Sequence, residues 1–147
     1  MRSMIIIMMV CCLLCSCGGN QKERTEAELL KLYKTYHEQK KLDGMMSLFY
    51  QEGTPEFILK TTRDDMQNSF KFTINTAEIS PIAPDTKEKM MTGFSYQGNT
   101  LIPNLEPLKQ VEVTFDTSTQ SGFIKTGETI MFGKLGNTHY FILPKIK

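Results

Sequence analysis

Apolar and polar positions change their period twice along the chain. Residues Met4 to Leu14 are an unbroken apolar run, followed by a polar stretch from Gly18 to Arg24. Leu29, Leu30, Tyr33, Tyr36 and His37 then recur at helical spacing, while Lys31, Lys34, Glu38 and Lys41 fall on the other side. Thr25-Glu26-Ala27-Glu28 matches a capping box, with Thr25 as N-cap and Glu28 reaching back to it. Asp43-Gly44 is expected to end this helix and to open a short second segment, Met45 to Gln51. Gly53-Thr54-Pro55 reads as a break and a new start, with Thr54 as N-cap and Pro55 at the first helical position. The third helix is expected to run to about Asn68.

Beyond Ser69 the period becomes two. Phe70, Phe72 and Ile74 alternate with Lys71, Thr73 and Asn75, and Val111, Val113 and Phe115 alternate with Glu112, Thr114 and Asp116. Both runs read as half-buried strands. Gly122 to Lys125 and Thr129 to Leu135 are expected to be further strands, and Gly136-Asn137 a two-residue hairpin turn into Thr138–Leu143. Pro81, Pro84, Pro103 and Pro107 punctuate residues 81–108, which offer one strand over Met90–Tyr96. Helices followed by an antiparallel meander make an α+β domain. The organisation expected is a signal peptide over 1–16, a tether over 17–24 and a single domain over 25–147.

The leader changes the picture. Arg2 supplies a positive start, the apolar run is 11 residues long, and small residues follow. Spanning a bilayer as a helix takes ~20 residues, so an uncleaved anchor does not fit the run. A plain secretory signal would end in an Ala-x-Ala-like site, and none is present. All four cysteines (Cys11, Cys12, Cys15, Cys17) lie in the first 17 residues. The rest of the chain therefore has neither a disulfide framework nor a cysteine-based zinc site. Leu14-Cys15-Ser16-Cys17 resembles the lipobox of bacterial lipoprotein precursors, with an apolar residue three before the modified cysteine and a small one directly before it. The resemblance implies lipid attachment at Cys17, cleavage after Ser16, and a membrane partner held through that anchor. Gly18, where Asp would favour inner-membrane retention, implies an outer-membrane location facing the periplasm.

The order of elements is similar to that of the nuclear transport factor 2-like (SnoaL-like, cystatin-related) superfamily. Leu29–Tyr36, Asp43-Gly44-Met45-Met46-Ser47-Leu48-Phe49 and the closing strands to Leu143 carry the likeness, over about residues 25–143. It implies N-terminal helices packed on a strongly curved antiparallel sheet enclosing a cone-shaped pocket.

Charge and chemistry narrow the function. Lys and Arg number 17 and Asp and Glu 16; with Arg2 in the leader, the remainder balances at 16 each. That balance argues against a nucleic-acid partner. His37 and His139 are the only histidines, without HxH or HExxH spacing, so no metal and no cofactor is expected, and both read as structural or solvent-facing. Asp64-Asp65 diverge by about 100° on a helix and cannot share a substrate. Gly127…Gly133-Lys134 fails the phosphate-loop spacing. Met45-Met46 and Met90-Met91 read as core fillers. Phe70, Phe72, Phe115, Phe123, Phe132 and Phe141 read as core, with the lining of an apolar cavity as the alternative. No catalytic set emerges. The expectation is a non-enzymatic binding module for a small apolar ligand or an envelope protein. The alternative is an isomerase- or hydratase-like pocket enzyme, for which Asp116, Tyr36 and Tyr140 are the acid–base candidates.

Overall fold

The computed structural model describes residues 23–116 and 126–147. The leader, Cys17, Phe123 and the strand expected over Gly122–Lys125 lie outside the described residues.

Helix α1 spans Glu26–Glu38 and begins with the capping box read from the sequence. The Thr25 hydroxyl accepts from the Glu28 amide at 3.2 Å, and the Glu28 carboxylate accepts from the Thr25 amide at 2.9 Å. A cap of this kind contributes about 1 kcal/mol. Leu29, Tyr33 and His37 are buried along one stripe. Asp43-Gly44 does not end this helix. The chain leaves α1 at Gln39 and turns through Lys40 at φ 53°, so that Asp43-Gly44 lies inside α2, Leu42–Met46. Gly44 has a packing reason to be there: a Cβ would sit 2.9 Å from the Tyr36 ring.

Helix α3, Glu56–Ser69, takes Pro55 rather than Thr54 as its N-cap. The Thr54 hydroxyl is engaged elsewhere, accepting from the Asn104 side-chain amide at 3.1 Å. Phe70 and Phe72 are not strand residues. Phe70 closes α3 and Phe72 sits in the following turn, both partly buried against the core. Strand β1 is Thr73–Pro81, and a bulge between Ile74 and Thr76 shifts its pairing with β4, Lys109–Asp116. Asn75 is the extra residue, so the inward positions change phase from Ile74 to Ala77 and Ile79. A strict period-two reading therefore stops at Asn75.

Strand β4 behaves as its alternation requires, with Val111, Val113 and Phe115 buried. The hairpin through Gly136-Asn137 joins β5, Gly127–Leu135, to β6, Thr138–Phe141, and Gly136 takes φ 58° as its turn demands. Residues 81–108 hold more order than their prolines suggest. They contain helix α4, Pro84–Thr92, and strands β2, Phe94–Tyr96, and β3, Asn99–Pro103. The strand expected over Met90–Tyr96 is thus half helix and half strand, divided at Gly93 (φ 93°).

The chain is α+β, with helices followed by a strongly curled antiparallel sheet in the order β1-β4-β5-β6. A second sheet has the order β2-β3-β7, β7 being Pro144–Ile146. The core lies between the helices and the inner face of the larger sheet. Tyr33, Phe132, Phe141, Leu29, Met45, Leu48, Val111 and Val113 fill it, all at or below 2 % exposure. Among the described residues, no helix is long and apolar enough to cross a membrane.

Candidate functional site

The curled sheet and its helices enclose a cluster of aromatic side chains. Tyr33 and Phe141 meet edge to face with centroids 5.6 Å apart, and Phe49 lies 5.3 Å from Phe141 on its other side. Phe115, Phe132 and Phe141 are core residues. His37 is buried beside them, 5.5 Å from Phe70 and 5.8 Å from Phe115. Its Nε2 lies 3.1 Å from the Ser69 carbonyl, the end of α3, and an N–H there ties α1 to α3.

A carboxylate among the described residues, Glu128, reaches this inner face. Alternation places Glu128 on the same side of β5 as Ile130 and Phe132, at the open end of the sheet. The Tyr33 hydroxyl donates to it. Burial, then the Glu128 charge and this hydrogen bond, hold the Tyr33 phenol far above its ordinary value. The sequence reading missed the pair, because nothing local in a helix announces a partner 95 positions away.

The three acid–base candidates do not meet. Asp116 is exposed and paired with Thr73 at the open end of the sheet. Tyr36 packs its ring over Gly44. Tyr140 is buried near the hairpin end, with Tyr50 at 5.8 Å and the Arg24 guanidinium 4.8 Å above its ring. His139 is occupied by structure: Nδ1–H donates to the Arg24 carbonyl at 2.8 Å. Among the described residues, no group of three or more His, Cys, Asp or Glu is placed to hold a metal ion, and no buried side-chain N or O lacks a hydrogen-bond partner.

One space open to a ligand lies on the other side of the larger sheet. Its outer face is polar over β1 and β4, where Ser80 and Gln110 donate to Glu112 at 2.7 and 2.8 Å and hold that carboxyl below its ordinary range. Over β5 the same face turns apolar. Met131, Ile142, Ile102, Met90 and Phe94 line a groove of about 260 Å³ between β5, α4 and the smaller sheet. Its walls are held by backbone bonds, Ile142 N to Met131 O and Asn104 N to Leu143 O, both 2.9 Å.

Exposed large apolar side chains lie on the elements that form this groove, Phe94 in its lining. Phe94 is 53 % exposed and Ile146 49 %, with Met91 and Tyr96 also exposed on α4 and β2. Tyr96 stacks on Phe57 of α3, with centroids 5.6 Å apart. A signal was present in the sequence: in Ile130-Met131-Phe132 the middle residue faces away from the core yet is apolar, so something other than water is expected to cover it.

A second cleft, of about 320 Å³, opens at the other end of the sheet between His37, Phe70, Phe72 and Ile74. Charged Glu38, Lys40 and Lys71 rim it, all exposed, and Nε2 of His37 is turned to Ser69. The apolar groove is the better candidate. Compared with protein-family models, curated proteins and solved structures, the chain matches none.

Proposed function

We propose that this chain is an envelope lipoprotein, anchored through Cys17, whose domain serves as a non-enzymatic docking module for another envelope protein. The membrane is the outer one, with the domain facing the periplasm. Phe94, a large apolar side chain 53 % exposed at the lip of a groove walled by Met131, Ile102 and Ile142, carries this reading. An apolar groove with such a lip marks a contact site on a soluble surface. At about 260 Å³ the groove suits one or two apolar side chains of a partner, anchored as interface hot spots are. A small apolar ligand is the second reading, favoured because that volume lies near the lower end of ligand pockets, about 300 Å³. The curled sheet preceded by helices supports membership of the nuclear transport factor 2-like superfamily as the finer assignment of the fold.

Two experiments test these statements. Mass spectrometry of the mature N-terminus is expected to show acylated Cys17, and a Cys17→Ser chain is expected to leave the membrane fraction. Retention of that variant sinks the anchor. A photo-crosslinking residue in place of Phe94, in intact cells, is expected to give one discrete protein adduct. Met131→Asp should abolish it and Lys31→Asp, at an exposed position on α1, should not. A bound apolar molecule in native mass spectra, with no adduct, favours the small ligand; neither adduct nor molecule refutes the groove as a binding site.

A further inference from the structure

The residues just ahead of α1 are fastened to the sheet. Arg24 forms a parallel bridge with Thr138, and its carbonyl accepts from the His139 amide at 2.9 Å and from His139 Nδ1 at 2.8 Å. The Asn137 side-chain amide donates to the Glu23 carboxylate at 2.8 Å. The Arg24 guanidinium covers the Tyr140 ring. Glu23 and Arg24, read from the sequence as the end of a polar tether, therefore belong to the hairpin end of the fold. Only residues 18–22 separate that end from Cys17.

The six Cα–Cα steps from Cys17 to Glu23 reach at most about 22 Å when extended. A domain of this length has a radius of gyration of about 14 Å. A body of that radius of gyration is roughly 36 Å across, so the connection is shorter than the body is wide, and the body cannot present its faces to the bilayer equally. The turn between β5 and β6 carries the side chains suited to that contact: Leu135, 46 % exposed, beside exposed Lys134. A leucine can enter the boundary between headgroups and acyl chains, and a lysine faces anionic headgroups.

We infer that the Lys134-Leu135-Gly136-Asn137 turn is the pole of the domain that rests on the bilayer holding its own lipid anchor. This rests on the anchor reading above and adds the surface that meets the lipid. The opposite pole, at Glu38, lies about 18 Å further along the axis of α1.

The test uses acylated protein purified from membranes and reconstituted into vesicles of phosphatidylcholine and phosphatidylglycerol. Cys11, Cys12 and Cys15 leave with the leader and the Cys17 sulfur is blocked, so an introduced cysteine is the one reactive thiol in the mature chain. Lys134→Cys and Glu38→Cys, both at exposed positions, are labelled with a small fluorophore and quenched by headgroup-nitroxide lipid. Quenching several-fold stronger at 134 than at 38 is expected. Equal or reversed quenching in protein that co-floats with the vesicles overturns the assignment of the pole alone. Failure of the acylated protein to co-float overturns the anchor, and the pole with it.

Discussion

Tyr33 sits at 0 % exposure with its hydroxyl turned to Glu128, and the pair has a stability signature. Below about pH 10 the folded and unfolded chains both keep the phenol proton. Above that, the unfolded chain releases it while the folded chain holds on, so the folded state binds more protons and stability falls as pH rises. The expected loss is about 1.4 kcal/mol per pH unit from this one group. Urea unfolding of the natural chain and of Tyr33→Phe, each at pH 9 and 11, checks it. The variant is expected to be about 1–3 kcal/mol less stable at pH 9 through the lost hydrogen bond. It should lose less than the natural chain on going to pH 11, and equal losses would refute the assignment. Tyr33 was legible as a helix-face residue, since its spacing from Leu29 and His37 fixes the side it lies on. Its partner was not, because the approach of Glu128 depends on where β5 crosses α1.

At the scale of elements, Asn104 links three segments that periodicity alone does not connect. Its side-chain amide donates to the carbonyl of Tyr50 and, at 3.1 Å, to the Thr54 hydroxyl, while its Oδ1 accepts from the Leu143 amide at 3.1 Å. The link joins β3, the loop before α3 and the passage from β6 to β7, beside the groove. Asn104→Leu is expected to cost roughly 3 kcal/mol by stranding buried backbone groups. Asn104→Asp should recover only part, because a carboxylate accepts from Leu143 but cannot donate to Tyr50. Equal unfolding midpoints for the two variants would count against this account. Long, regular elements were legible in the sequence: α1 with its capping box, β4 with its clean alternation, and the β5–β6 hairpin with its Gly-Asn turn. The errors fall where a tertiary contact overrides a local signal. Gly44 reads as a helix end but admits the Tyr36 ring, Asn75 bulges and changes the phase of β1, and Pro84 opens a helix in a stretch that reads as broken by prolines.

For the whole molecule, the fastening of Glu23 and Arg24 predicts where a trimmed domain stops being stable. Removing residues 1–22 should leave the melting temperature unchanged. Removing 1–24 takes away the bonds to Asn137 and His139 and the cover over Tyr140, at about 2 kcal/mol. At roughly 2–4 °C per kcal/mol for a domain near this size, the second form should melt about 4–8 °C lower in a thermal scan. Identical transitions would show that the contact adds nothing. The candidate site was less legible than the fold. Met131 alone hinted at a covered outer face, and the groove needs α4 and the smaller sheet, which the prolines concealed. The same fastening also occupies a margin of the larger sheet. Along β6, His139 N bonds Arg24 O, Phe141 N bonds Leu48 O and Tyr50 N bonds Phe141 O, each 2.9 Å. The other margin, β1, is interrupted by its bulge, carries exposed Glu78 and ends in Pro81. Among the described residues the larger sheet thus offers a second copy no long, bare, regular margin to zip onto.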